Sequence, residues 1–288
     1  MRGRVATALM AIVLVACGSD DVDPVVLVDL GGLPPGEIIA LRSDGETIEW
    51  IERTAGRIVR LAPDAAPSTV ATLDVSTDGE QRGLLGHTVI EGRRFAAWTE
   101  RQTLRLVVGE LTDDGPELVW RGTGTATRAV GGHLEERDGM LVLGLGELTD
   151  WAQDHGSGAI VTLDPDGAPA QDPVVLTDGW NNPFAFVVLD DGTVLVADNA
   201  PAGSPERLAA DELRTDLPAP ERAPSAIAAL PDGRIGVCGW LDGELRGYEL
   251  TDDGFERAGT PGTCRSAVTV TAEGRIVTVT DDAIVATP

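Results

Sequence analysis

One pattern recurs six times and constrains the fold more than any other feature: an acidic residue, then glycine, then an apolar run. The pairs are Asp44-Gly45, Glu91-Gly92, Asp138-Gly139, Asp191-Gly192, Asp232-Gly233 and Glu273-Gly274, with glycine spacings of 47, 47, 53, 41 and 41. An acidic residue before glycine is turn chemistry, because glycine accepts the positive φ that reverses a strand. The runs that follow read ETIEWIE, RRFAAWTE, MLVLGLGE, TVLVADN, RIGVCGWL and RIVTVTD. Most lead into a second run: GRIVRL, TLRLVVGEL, GAIVTLD, GELRGYEL and AIVAT. A unit of about 40–50 residues with several short strands is the signature of a propeller blade. One such sheet has no means of burying both faces alone, so the units must pack around an axis. The expected fold class is all-β: a six-bladed β-propeller formed as one domain over residues 25–288.

Two repeats depart from the pattern. In the fourth, AGSPERLAADELR reads as a loop or one helical turn. The last supplies three strands only, and the apolar VVLVDL at 25–30 is expected to add the fourth and close the ring. Closure removes the open edge that an incomplete ring exposes. Further turns at Asp78, Asp114, Asp166 and Asp253 are expected to join outer strands. The glycine-rich GTGTATRAVGG (122–132) lacks the spacing of a nucleotide-binding loop and no helix follows it, so it reads as a loop running toward the axis.

The formal net charge is −25, and every cation is arginine or histidine, because the chain has no lysine. Much of the acid sits in turns and reads as a solvated rim. This charge makes nucleic acid and anionic membrane surfaces poor partners, and no nucleic-acid partner is expected.

The N-terminus has the form of an export signal. Arg2 and Arg4 precede an apolar run that stops at Cys17, and about 20 residues would be needed to span a bilayer. LVAC (14–17) resembles the lipobox of bacterial lipoproteins. The resemblance implies cleavage after residue 16, lipidation of Cys17 and a solvated tether over 17–24. A plain secretory signal is the alternative. The expected location is the cell envelope, facing the periplasm or the cell surface, with the membrane met only through the lipid. Cys238 and Cys264, 26 residues apart in neighbouring repeats, either bridge or stand as two buried thiols.

The stretch NNPFAFVVLDDGTVLVADNAP (181–201) is a hairpin with stiff, polar ends. Asn181-Asn182-Pro183 enters it and Asp198-Asn199-Ala200-Pro201 leaves it. A hairpin brings these ends together, as the floor of a binding site would require.

Several segments, in order, resemble the soluble quinoprotein sugar dehydrogenases, the glucose/sorbosone dehydrogenase family. They are ERTAGRIVRL (52–61), EQRGLLG (80–86), VGGHLEERDGMLVLGLGE (130–147), AQDHGSGAIVTLDPDG (152–167), GWNNPFAFVVLDDGTVLVADNAP (179–201), CGWLDGELRGYEL (238–250) and TCRSAVTVTAEGRIVTVTDD (263–282). The resemblance implies a six-bladed propeller. It also implies aldose oxidation by pyrroloquinoline quinone (PQQ) with a histidine base and calcium as Lewis acid. Carried over residue by residue, Gln81 matches the glutamine facing sugar and cofactor, and Asn182 the asparagine of the family's R-N-P motif. Asn181 stands where its arginine would be. The catalytic histidine falls at Ala129. His133, four residues on, is a candidate for a relocated base. Ala200 and Pro201 stand where main-chain oxygens hold calcium. The cofactor lysine falls near Leu241. Thr263 replaces one arginine of the pair near the end, Arg265 keeps the other, and Arg128 offers an added cation.

With the base and most of the cationic seat missing, the resemblance implies a degenerate site. PQQ and calcium binding are then in doubt, and a non-catalytic propeller that binds a sugar or an envelope protein is expected. An exposed aromatic patch from Trp98, Trp151, Trp180 or Trp240 would support that. One alternative is an active enzyme whose Arg128, Arg265 and Gln81 converge on the axis. Another is a metal-dependent lactonase-type hydrolase using Asn182, Asp198 and Glu147.

Overall fold

The computed structural model describes residues 24–34, 36–146, 158–200, 205–210, 213–217 and 222–287. Cys17, Glu147, Trp151 and Pro201 lie outside them. The described residues form six small antiparallel sheets and no helix. Blade I runs from Ile38–Asp44 at the axis to Ser68–Thr72 at the rim, and blade II from Leu84–Ile90 to Gly115–Gly124. Blade III runs from Gly131–Arg137 to Val174–Trp180, and blade IV from Ala185–Val188 to Leu213–Asp216. Blade V runs from Pro224–Ala229 to Gly254–Arg257, with the short Gly262–Thr263 pairing beside its third strand. The fold is a six-bladed β-propeller.

All six acidic-glycine pairs join the innermost strand of a blade to the second. Asp44↔Thr47 and Arg137↔Met140 are the closing pairs of two such turns. Asp114, Asp166 and Asp253 lie between third and fourth strands, as expected. Asp78 does not. It lies in the crossing from blade I to blade II, where Arg82 donates to the Asp78 carbonyl and to Thr125 Oγ1 (2.9 Å). A turn motif specifies a bend, but whether strands flank it depends on pairing partners elsewhere.

The second strands are buried on both faces, so each blade presents two apolar surfaces. These surfaces meet in six clusters, one between every pair of neighbours. Leu85, Phe95 and Val108 of blade II face Leu134 and Leu143 of blade III. Trp50 and Val59 of blade I face Val277 and Ile284 of blade VI, which completes the circle. Blade VI combines Val268–Val270, Ile276–Val279 and Ala283–Thr287 with Val25–Asp29 from the other end of the chain, paired as Val26↔Val285 and Asp29↔Ala283. The ring is therefore closed by the N-terminal strand, as the repeat count requires. Its last edge finds backbone partners that would otherwise have to be solvent.

The fourth repeat corrects the sequence reading. Arg207–Ala210 and Leu213–Asp216 are strands, not a loop or helical turn. Alanine favours helix in isolation, but pairing with Val194–Asp198 overrides that preference (Ala197↔Leu208, Leu195↔Ala210). Leu208 and Ala210 then enter the cluster shared with blade V, and Ala209 the one shared with blade III. This is the period-two alternation of a strand.

Candidate functional site

The innermost strands surround an axial passage with two mouths. The turn-side mouth, about 630 Å³, opens where the inner strands reach their acidic-glycine turns. The opposite mouth, about 370 Å³, is formed where the chain enters the inner strands. Ile39, Phe184 and Ser225 line both and form the waist between them.

The smaller mouth gathers the polar ends of the 181–201 hairpin. Asn182 and Asn199 both line it. The hairpin ends are held by Asp198, which is wholly buried. Its carboxylate accepts from the backbone N–H of Asn181 (3.0 Å) and Asn182 (2.9 Å), from Asn181 Nδ2 (2.9 Å) and from Arg207 Nη2 (2.6 Å). Asn182 Oδ1 in turn accepts from the N–H of Gly131 (3.2 Å) and so ties blade IV to blade III. Asp198 thus has its oxygens occupied by the turn it organises and does not face the axis.

Gln81 lines the same mouth. Its N–H donates to Thr127 O (3.0 Å), and its Oε1 accepts from the N–H of Ala129, which sits at φ 51°. Gln81 is thus partly spent on holding the loop that carries Ala129. Trp240 forms part of the wall; Ser225 and Ser266 also line it, but their hydroxyls donate to the carbonyls of Arg265 (2.8 Å) and Ile38 (2.5 Å). The indole lies against Gly36, whose φ of 77° and bare Cα leave room for it: a Cβ there would collide with the ring. Trp98 and Trp180 are buried packing residues, and Trp180 carries Arg214 stacked on its face at 4.2 Å. Of the four tryptophans named from sequence, Trp240 is the described one that reaches the mouth.

The expected cations do not converge there. Arg128 is turned out to solvent, paired with Glu80 at 2.6 Å, and does not line the cavity. Arg265 is held by Asp281 (2.8 Å) and donates through Nη1 to the Trp240 carbonyl, so it braces the wall from behind. His133 belongs to the other mouth, packed edge-on against Phe186 (4.8 Å) and 3.0 Å from Glu135 Oε1. Ala200 is buried and does not line the cavity. Among the described residues, no three His, Cys, Asp or Glu side chains are grouped to hold a metal ion.

The sequence reading missed Arg53. It lines the smaller mouth and donates to three carbonyls: Nε to Gly36 (3.2 Å), Nη1 to Glu80 and Arg82 (both 2.9 Å). Burial pulls its pKa down, and the charge of Glu37 opposes this. The ERTAG turn carried the residue in plain view, but nothing local says that it faces the axis.

A disulfide joins Cys238 to Cys264 (Cα–Cα 5.0 Å). It staples blade V to the chain entering blade VI, two residues before Trp240 and Ser266 respectively. A second polar cluster lies between blades I and II. Buried Glu49 there meets Arg94 (2.5 Å) and Arg60 (2.7 Å), with His87 at 3.3 Å. Burial pushes the Glu49 carboxyl up, but His87 and Arg94 outweigh it and hold the group well below the usual carboxylate range. Burial depresses His87, with Glu49 opposing and the charges of Arg94 and Arg42 adding to it.

No protein-family model and no curated protein matches the chain. Solved structures do. The PQQ-bound aldose sugar dehydrogenase of Streptomyces coelicolor is 19% identical with a TM-score of 0.70, over 92% of this chain and 97% of that one. The soluble aldose sugar dehydrogenase of Escherichia coli, in its apo form, is 18% identical with a TM-score of 0.69, over 92% and 98%. A gluconolactonase of Xanthomonas campestris is 16% identical with a TM-score of 0.62, over 93% and 95%. At these identities the likeness establishes the fold: the chain is a six-bladed propeller built like the soluble aldose sugar dehydrogenases and, at a lower score, like a gluconolactonase.

Proposed function

We propose that this chain is a divergent relative of the PQQ-dependent sugar dehydrogenases that has kept the axial mouth as a sugar-binding site and lost the redox chemistry. It is displayed in the cell envelope on a lipid anchor at Cys17. The disposition of the cations carries this reading. PQQ has three carboxylates, and a seat for it needs several arginines or lysines. Here Arg128 and Arg265 are each paired with a carboxylate, and neither lines the mouth. Ala129 stands in place of the base, and its loop is tied down by Gln81. The residues present do not fit PQQ, and no step through it is derived. What the mouth does offer is the chemistry of carbohydrate recognition: an indole wall (Trp240) and side-chain amides (Gln81, Asn182, Asn199), in a cavity within the ~300–1,000 Å³ range of small-molecule sites. A lactonase reading is disfavoured by Asp198, whose carboxylate is consumed by the Asn181-Asn182 turn and Arg207.

The test is a pair of titrations on the folded, exported protein. PQQ, with and without calcium, is expected to give no saturable change in tryptophan fluorescence. A panel of neutral sugars is expected to give one that Trp240→Phe abolishes. Calcium-dependent PQQ binding at micromolar level or tighter, with dye reduction on adding an aldose, would restore the enzyme reading. Metabolic labelling with a fatty acid, lost in Cys17→Ser, checks the anchor.

A further inference from the structure

Arg53 is a charged group left without an ion pair by the described residues. Its three hydrogen bonds go to neutral carbonyls, and none of the described carboxylates lies within ion-pair distance of it. The charge of Glu37 offsets part of its burial, but the Glu37 oxygens accept from Thr54 N (2.7 Å), Thr54 Oγ1 (2.6 Å) and Ala55 N (2.9 Å). Among the described residues Nη2 of Arg53 has no hydrogen-bond acceptor, while the residue lines the smaller mouth. The contrast with its neighbours is sharp. Arg128 and Arg265 near the same mouth each hold a carboxylate, as do Arg57, Arg60 and Arg94 in blades I and II.

A guanidinium pinned by Nε and Nη1 in the wall of a cavity, with Nη2 left over, is a preorganised half of a charge-assisted pair. It loses little conformational entropy when an anion arrives, because the carbonyls have already fixed its plane. The rest of the wall suits a sugar ring: Trp240 for its apolar face, and Asn182 and Gln81 for its hydroxyls. Glu80, which also lines the mouth, is occupied by Arg128 at 2.6 Å.

We infer that the axial mouth selects a carboxylated sugar, a uronic or aldonic acid, with the carboxylate bound by Arg53 Nη2 and the ring lying against Trp240. This rests on the sugar-binding reading above and narrows it. A charge-assisted hydrogen bond in such a site favours the acid over its neutral counterpart by on the order of 10- to 100-fold.

The experiment is calorimetric titration of the full exported protein with three probes of one shape: glucuronate, glucuronamide and glucose. Glucuronate is expected to bind about 10- to 100-fold more tightly than the other two and to lose that advantage as salt rises. Arg53→Lys keeps a charge but not the fixed plane, and is expected to narrow the gap. Should that variant fail to fold, the comparison of three ligands on the wild type still decides. Equal binding of all three overturns the acid preference and leaves the sugar site standing. Tighter binding of glucose than glucuronate does the same. Binding of none of the three, in protein shown to be folded, overturns both.

Discussion

Asp198→Asn is the most informative single change, because it removes one charge and almost no volume. The carboxylate serves four donors: the backbone N–H of Asn181 and of Asn182, Asn181 Nδ2 and Arg207 Nη2. An asparagine keeps one acceptor oxygen and turns an NH2 group toward the others. At least two donors then lose their partner at about 1–3 kcal/mol each, and Arg207 loses its counter-ion. The sum is on the order of 3–5 kcal/mol, the range measured when one member of a buried ion pair is removed. For a chain this long that lowers Tm by roughly 6–10 °C. The assay is urea and thermal unfolding followed by tryptophan fluorescence, with Arg207→Met and the double variant completing a cycle. The two sites are expected to couple by at least about 1 kcal/mol. A loss under about 1 kcal/mol for Asp198→Asn, or an additive cycle, would refute the claim that this carboxylate organises the floor of the site.

Replacing both Cys238 and Cys264 by serine opens a closed loop with a separation of 26 residues. It should cost about 3.5 kcal/mol by chain entropy, and it should also weaken ligand binding, since Trp240 and Ser266 follow the two cysteines closely; unchanged unfolding in the double variant would contradict this. Deleting residues 25–30 leaves Ala283–Thr287 as an unpaired edge and uncovers part of the cluster behind it, so the truncated chain should unfold at lower denaturant and self-associate on size exclusion. His87 and Glu49 both make acid destabilising. The folded His87 sits below its unfolded value of about 6.5, so stability falls as pH drops below that point. Glu49 contributes fully above about 4.3, and its contribution is lost as pH falls further toward its depressed folded value. Between pH 7 and 5, His87→Gln should flatten the dependence of unfolding free energy on pH by up to about 1.4 kcal/mol per unit, and parallel curves for the two proteins would show that His87 does not titrate in this way. Gly36→Ala should push the Trp240 indole out of place and alter its fluorescence, with loss of sugar response at the mouth.

The sequence by itself determined the ring. Six acidic-glycine turns fix six inner hairpins, because glycine's positive φ and the flanking apolar runs are properties of a few adjacent residues. The three-stranded last repeat and the spare VVLVDL segment determined the closure, since a missing strand and an unpaired one have only each other. Tertiary structure decided the strands of the fourth repeat, where an alanine-rich segment took its form from Val194–Asp198 and from two apolar neighbours rather than from its own propensity. It also decided the chemistry of the axis. Which arginine is free and which is neutralised depends on loops 48 residues apart meeting at Arg128 and Glu80, and on Arg265 finding Asp281 across a turn. Arg53 stands in a turn whose sequence is unremarkable, and it faces the axial mouth because the closed ring carries that turn there. Charge pairing is a relation between distant segments, and only the closed ring brings those segments together.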